Sequence, residues 1–581
     1  MRPERIARAG DAALLVEFPP RIDAEVNVCC IALARTLTAK YGSAIRDAVV
    51  GYCTVTVYYD PLFVDASWLE EEIHGATAGL TDGNIVEGDL LDIAVCYGGE
   101  FGPDLANVGR FGGCSEEQVI ALHTGRIYRV FAVGFVPGFA YMAEVDAQIA
   151  APRRSSPRTA VPAGSVAIAG GQTGIYPTVT PGGWNIIGRT AAKPYDPSRR
   201  EPFLFKAGDR VRFHAITAEE FGDTHPGQPP GTATWDSHPG QPPGAGTRDS
   251  HPGQPPGAGT IGCPHGYRYQ PAMLALTVIR PGMLTTIQDL GRWGLQDFGV
   301  PVAGPMDMYS HLLANRLVGN DDRAAALEVT LIGPELRADA DLVCAVAGAT
   351  FALTINGSPV ALHTAFDLPN GGSLRFGERS AGARTTLAVR GGIDVEALFG
   401  SRAVSLISKM GPFGGRALKS GDILPIGEAM SSRATPSSEA ALSLPAGGTR
   451  LRVISGPHEY MFTPAAYQTL YHSRFMVTTS SNRMGYRLEG PPLAHSGPAD
   501  ILSEATPIGS LQVPASGQPI LLMADRQTTG GYPKIGTVIT ADLPLAGQLA
   551  PGDWIEFVPC TPQAALDALK GQRSRLEGRR G

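Results

Sequence analysis

The heptapeptide HPGQPPG opens at residues 225, 238 and 251, a period of 13, inside a tract made mostly of Gly, Pro, Thr, Ala, Asp and Ser. Such a composition buries too little apolar surface to offset the entropy lost on ordering, so roughly residues 222–270 are expected to be a disordered or polyproline-like tether. His225, His238 and His251 have no rigid frame to gather them round a metal, and a plain repeat-expanded tether is the simpler reading. No single hydrophobic core can run through this tract, and at 581 residues the chain is long enough for several domains. The expectation is two bodies on a string.

The first body starts with an α/β pattern. ALLVEF reads as a strand, AEVNVCCIALARTLTAKYG carries apolar residues at helical spacing, AVVGYCTVTVYYDP alternates, and ASWLEEEIHGA is helical behind a Ser cap. That order fits a small two-layer sandwich over residues 1–88. From residue 89 to 221 the runs shorten to RIYRVFAVGF, SVAIAGG, WNIIGRT and DRVRFHAI, each punctuated by Gly or Pro, as in a compact barrel. The second body has the same texture, apart from one clear helix at DMYSHLLANRLVG. With 72 Gly and 48 Pro, the chain as a whole is suited to turns and short strands more than to long helices. The fold class expected is α+β, mostly β.

Two internal repeats set boundaries. KAGDRVRF, KSGDILPI and APGDWIEF each enter an alternating run through a Gly-Asp turn, which suggests three β modules finishing on the same strand, over 89–221, 271–432 and 433–562. An Arg-rich tail, 563–581, follows. The stretch GGQTGIYP at 170–177 is echoed by DRQTTGGYP at 525–533. Either a module has been duplicated, or two loops face one ligand.

Charge and cysteine usage exclude several classes. A net charge of −7 gives no footprint for nucleic acid and no polybasic surface for a membrane. Only seven of the 48 basic residues are Lys, and none follows Gly and precedes Ser or Thr, so a P-loop is absent; Met-Lys-Met, the biotin-acceptor motif, is absent too. Eight cysteines show no metal-type spacing, the N-terminus reaches Asp11 before any long apolar run, and no 18-residue apolar stretch exists. A cytoplasmic protein is expected.

Candidate site residues fall into clusters rich in Gly and Pro. In VFAVGFVPGFAYM, Phe135, Pro137, Gly138, Phe139 and Tyr141 could form a pocket wall. Arg154, Arg158, Gln172 and Tyr176 follow; the second body offers Asp289, His458, Asn482, Arg483, Arg526, Gln527, Thr528 and Tyr532. Guanidinium groups pair with a carboxylate through two parallel bonds, and Gln or Thr can polarise an amide. No Gly-x-Ser-x-Gly elbow, His-Glu-x-x-His, dinucleotide fingerprint or metal cluster is present. The sequence shows carboxylate and amide handles and no evident nucleophile.

These words also carry a family resemblance. YGGEFGPDL, GFVPGFAYM, PRRSSPRTAVPAGSVAIAGGQTGIYPTVTPGGWNIIGRT and GDRVRF resemble the B-type component of 5-oxoprolinase, also called allophanate hydrolase subunit 1. PGMLTTIQDLGRWGLQDFGVPVAGPMD, ANRLVGN, LEVTLIGPEL, SNRMGYRLEGP and ADILSEATPIGSLQVPASGQPILLMADRQTTGGYPKIG resemble the C-type component, or allophanate hydrolase subunit 2. Both bodies also resemble the carboxyltransferase domain of urea carboxylase. The resemblance implies three cyclophilin-like barrels, one behind the small α/β domain and a related pair in the second body. It further implies a third, A-type partner of the 5-oxoprolinase complex and opening of the 5-oxoproline lactam to glutamate, with ATP and Mg used at the level of the complex. Family members usually occur as two chains, so the fusion is a departure; an oligomer of identical chains is compatible with it. On chemistry type we assign Asp289, Gln172 and Gln527 to catalysis, and Arg154, Arg158, Tyr176, Arg526, Thr528, Tyr532, His458, Asn482 and Arg483 to substrate binding, in one cleft shared by both bodies. Two alternatives follow from the same resemblance. One is a carboxyltransferase component fed by biotin on another chain; the other is a regulatory protein, since the first body also resembles a sporulation-kinase inhibitor.

Overall fold

The computed structural model describes residues 1–78, 88–223, 274–429 and 440–578; the HPGQPPG repeats lie outside these ranges. Strands Arg5–Arg8, Ala13–Glu17, Thr54–Tyr59 and Ile45–Val50 form an antiparallel sheet in that order, covered by helices Ala24–Tyr41 and Ala66–Ala78. Asp23 caps the first helix by accepting from the Glu25 and Val26 amides. Along Thr54–Tyr59 the side chains alternate: Val55 and Val57 enter the core with Leu14, Val16, Leu33 and Leu37. Thr54, Thr56 and Tyr58 point the other way and are nonetheless buried. A sheet buried on its polar face needs a further layer there, and the second half of the chain supplies it.

Two closed seven-stranded barrels follow one plan. In the first, Leu90–Tyr97 lies parallel to Arg210–Ile216, and the ring continues through Ile127–Val133, Ala140–Ala143, Gln172–Ile175, Ser165–Ala169 and Asn185–Arg189. In the second, Gly448–Ser455 lies parallel to Trp554–Pro559, and the ring runs through Arg474–Val477, Gly485–Glu489, Ile520–Leu522, Ser510–Gln512 and Lys534–Val538. The order and sense of every pairing agree, so the duplication is real. The QTG echo does not mark it, however. Gln172 begins a barrel strand whose counterpart is Ile520–Leu522, whereas Gln527 lies in the later loop whose counterpart is 176–184. The two copies are one strand out of step.

Between these barrels, the expected third barrel is an open nine-stranded sheet. Its strands Leu342–Ile355 and Ser373–Val389 shift register between Gly348 and Leu353, and these bulges bend the long pair without closing it. The Gly-Asp repeat has a common physical role in all three modules. The carboxylates of Asp209, Asp422 and Asp553 each accept the amide three residues earlier, Lys206 at 2.8 Å, Lys419 at 2.7 Å and Ala550 at 2.8 Å, around glycines with positive φ. The tail is helical over Pro562–Leu576 and folds back: Ala565 packs with Ile454 and Ile539, Leu576 with Tyr309.

The halves dock directly. Asp47 accepts from the Gly294 and Gln296 amides, Asp297 from the Val50 amide at 2.9 Å, Asp11 from Thr540, and the Gly138 amide donates to Phe298 O at 2.9 Å. Gly299 has φ +78, and a Cβ there would stand 2.2 Å from Val136 O, so the close approach of the two halves requires glycine.

Candidate functional site

A hollow of about 830 Å³ lies where the halves meet. The small domain contributes Ala13, Arg46 and Tyr58; the second half contributes Asp289, Arg292, Trp293 and Arg526; the tail helix closes one side with Leu569, Arg573 and Leu576. Its volume is within the usual range for small-molecule sites. Six arginines line it (46, 292, 323, 402, 526, 573) with four aspartates (11, 60, 289, 322), and Arg402 and Arg573 also pair with Asp394 and Glu577 outside the wall. Ala303 and Phe399, both in the wall, hold φ of 58° and 52°. Side chains rarely adopt such a backbone except where the surroundings enforce it, commonly at functional sites.

Asp289 fixes the floor. Its carboxylate accepts from Ser401 Oγ at 2.6 Å, from the Gly291 amide at 2.9 Å and from the Arg402 amide, tying two loops together. Arg292 is buried and donates to Leu398 O and Ala403 O, while its Nη1 has no protein partner. Arg526 donates to Thr506 O at 2.6 Å and to Gln296 Oε1 at 3.2 Å. Gln296 in turn donates from Nε2 to Asp47 at 3.2 Å, so a small-domain carboxylate orients the amide that holds Arg526.

The first-half residues expected in this cleft are elsewhere. Arg154 and Arg158 both bind the single carboxylate of Asp104, at 2.8 Å, outside the hollow. Tyr176 is buried against Phe139, 5.3 Å between ring centres. Phe139 also meets Phe135, Tyr141 and Trp184, so the GFVPGFAYM segment is a packed aromatic cluster, and its Val136–Gly138 turn, which includes Pro137, is docking surface against Phe298 and Gly299. Gln172 pairs with Ala143 and Ala169 across the sheet, on the same face as Tyr141; its Oε1 has no protein partner. The Tyr141 hydroxyl reaches Thr529 Oγ1 at 3.2 Å. The barrel wall that carries Gln172 therefore does touch the 525–533 loop, but away from the hollow.

In the second half, Gln527 donates to Gln512 Oε1 at 3.4 Å, Thr528 is buried, and Tyr532 is partly buried. Asn482 closes a turn by accepting the Met484 amide at 2.8 Å. Arg483 is internal, clamped by Asp525 at 3.1 and 3.2 Å and by Glu328. His458 belongs to a buried group with Glu504 and Lys534: Nδ1 accepts the Lys534 amide, Nε2 stands 3.4 Å from Glu504 Oε1, and the Lys534 ammonium binds the same carboxylate. Burial alone would raise the Glu504 pKa, but Lys534 and His458 outweigh it and hold the carboxyl at about 2. This group pins Glu504–Ala505 and the Lys534 strand, and so both flanks of the 525–533 loop. The sequence clusters missed Tyr58, Arg46, Gln296 and Lys534. A signal for Tyr58 was present in TVTVYY, whose Val residues take one face and whose Thr and Tyr take the other.

Comparison with known proteins agrees with this architecture. Residues 4–205 match the carboxyltransferase domain, subdomain C and D, and residues 298–559 match the carboxyltransferase domain, subdomain A and B. The second half is similar to the C component of the 5-oxoprolinase of Escherichia coli K12, 38% identical over 302 residues, covering 52% of this chain and 96% of that protein. The first is similar to the B component of the 5-oxoprolinase of Bacillus subtilis, 36% identical over 227 residues, covering 37% of this chain and 95% of that protein. The crystal structure of TTHA0988 superposes with a TM-score of 0.77 at 34% identity, covering 94% of this chain and 99% of that one, so the joined arrangement is shared by another chain. The chain thus belongs to the carboxyltransferase-domain family, with halves similar to the B and C components of 5-oxoprolinase in one polypeptide.

Proposed function

We propose that the chain is the combined B and C component of an ATP-dependent 5-oxoprolinase, acting with a third subunit to open the 5-oxoproline lactam to glutamate. The observation that supports it is the docking of two halves, each similar to a separate 5-oxoprolinase component over nearly its whole length, around one hollow lined by six arginines. In that reaction the lactam C–N bond breaks, water supplies hydroxyl to the carbonyl carbon and a proton to nitrogen, and ATP hydrolysis drives the step. The roles left to this chain are binding and orientation: arginines of the hollow hold the anionic group, and Asp289 keeps the floor in place. Arg154 and Arg158 sit at Asp104, and Gln172, Gln527 and Thr528 do not line this hollow.

The experiment combines the purified chain, an A-type 5-oxoprolinase component, ATP and 5-oxoproline, and follows glutamate and ADP. Release of both only in the complete mixture is expected; an inactive complete mixture rejects the reading. The description of the matching domains favours a second reading, a carboxyltransferase component supplied by a biotinylated carrier. Carboxyl transfer to urea from such a carrier, with no glutamate release, would move the assignment there.

A further inference from the structure

Arg526 is 3% exposed and lines the hollow, yet no described carboxylate stands within ion-pair distance of it. Two other buried arginines, Arg483 and Arg316, are paired with carboxylates. Arg483 lies between Asp525 and Glu328, and Arg316 grips Asp322 through two bonds of 2.8 and 2.7 Å. Arg384 also lacks a carboxylate, but the carbonyls of Gly547 and Leu549 and the Tyr486 hydroxyl close it off, and it does not reach the hollow. Asp525, the carboxylate next to Arg526 in sequence, already accepts both prongs of Arg483. A buried cation without a counter-ion is costly, and the cost falls when an anion arrives.

The surroundings of Arg526 are suited to such an arrival. Tyr58, from the small domain, is 3% exposed and lines the same hollow; its hydroxyl lies near enough to Arg526 to feel the charge, but closes no well-formed hydrogen bond. Burial raises the Tyr58 pKa, so the phenol keeps its proton and remains a donor. Arg292, a second buried guanidinium in the wall, is held by carbonyls alone. Gln296 links the arrangement to docking, since Asp47 fixes its amide while the amide holds Arg526.

We propose that Arg526, Tyr58 and Arg292 form an oxyanion subsite, for the carboxylate of a small cyclic-amide acid or a phosphoryl group, complete only when the halves are docked. A guanidinium fork meets two oxygens of either group, and the phenol supplies a further donor. Recognition of a carboxylate rests on the 5-oxoprolinase reading; the oxyanion subsite itself does not.

The test is calorimetry and thermal denaturation of the full chain with four probes: 5-oxoproline, 2-pyrrolidinone (the same lactam without the carboxylate), inorganic phosphate and ATP. Wild type should bind 5-oxoproline at least about tenfold more tightly than 2-pyrrolidinone, the scale of one charge-assisted hydrogen bond. Arg526→Met should erase that difference, and Tyr58→Phe should reduce it several-fold at an unchanged melting temperature. Phosphate or ATP binding lost in Arg526→Met, with 5-oxoproline inert, would keep the subsite and sink the oxoprolinase reading. Wild type that binds no anion, or equal anion affinity in wild type and Tyr58→Phe, overturns the proposal even if Arg526→Met fails to fold.

Discussion

Asp47 carries much of the docking, and its removal gives a prediction with a worked magnitude. Its Oδ2 accepts three bonds from the other half, Gly294 N at 3.1 Å, Gln296 N at 3.1 Å and Gln296 Nε2 at 3.2 Å, while Oδ1 accepts its own neighbour Ala48 at 3.0 Å. Asp47 is 8% exposed and Gln296 only 1%, so in Asp47→Ala the two Gln296 donors gain little from solvent, whereas Gly294 is exposed and its amide is rehydrated. At about 1–2 kcal/mol for each of these two donors left without an acceptor, the gross loss is about 2–4 kcal/mol. Part is recovered because the variant no longer desolvates a carboxylate, a cost visible in the raised pKa of Asp47. A net loss of about 2 kcal/mol corresponds to about a 30-fold weaker docking constant. The assay introduces a protease site into the 224–273 tract, cuts it, and titrates one purified half into the other. Asp47→Asn, which keeps one acceptor oxygen, should fall between. Halves of Asp47→Ala that associate within threefold of wild type would refute the reasoning.

Burial pushes Asp297 up to about 8, although the residue as a whole keeps some surface. The docked state therefore holds a proton that a separated half releases near the ordinary value of about 4. Docking should weaken as pH rises from about 4 to about 8 and level off above; Asp297→Asn should flatten that slope in cut halves titrated between pH 5 and 9. Gly299→Ala puts a methyl group 2.2 Å from Val136 O and should weaken docking more than 100-fold, on the scale of at least about 3 kcal/mol for a clash with backbone at positive φ. Leu576→Ala, in the tail helix, should cost about 2–3 kcal/mol in urea denaturation, since the residue is 4% exposed beside Tyr309. Lys534→Met leaves Glu504 buried with His458 alone and should cost about 3–5 kcal/mol, with recovery in the Lys534→Met/Glu504→Gln double variant.

What could be read beforehand was local. The strand Ala13–Glu17, the helices Ala24–Tyr41, Ala66–Ala78 and Met308–Leu317 and the three Gly-Asp turns follow from alternation, helical spacing and an aspartate that reaches back to an amide, whereas the strand Arg5–Arg8 and the break of AVVGYCTVTVYYDP into two strands do not. The barrel duplication was legible as a texture, but its alignment was not. QTG and Tyr-Pro are short words that a β-strand start and an inter-strand loop can both contain, and only the pairing partners of Gln172 and of Thr529 separate the two uses. The site was half legible. Asp289 and Arg526 stood out because Gly and Pro surround them, while Tyr58 sits in an unbroken strand whose second face gains meaning only when another body covers it. Arg154 and Arg158 looked free for the opposite reason: their partner Asp104 is about 50 positions away.

The polar character of the seam bears on why the halves are joined. Thr54 and Thr56 on the sheet, and Ser510 and Thr537 on the second barrel, are buried hydroxyls with no protein partner. Each either loses its water on docking or keeps it across the seam, and in both cases gains little. The remaining contacts combine apolar clusters, Phe203 with Phe298 and Phe399, and Tyr58 with Trp293, with a few carboxylates, one of which, Asp297, is disfavoured in its charged form once docked. Such a mixed interface, with unpartnered hydroxyls beside aromatic clusters, resembles one between two domains more than a continuous core. A covalent tether changes the arithmetic without adding a contact, because a short linker holds its ends at an effective concentration of order millimolar. Halves with a docking constant of only about 10 μM would then be docked about 99% of the time, and would still open for ligand exchange. On this argument the fusion keeps the composite hollow assembled, and Gln296, touching Asp47 on one side and Arg526 on the other, is where docking is converted into a formed site.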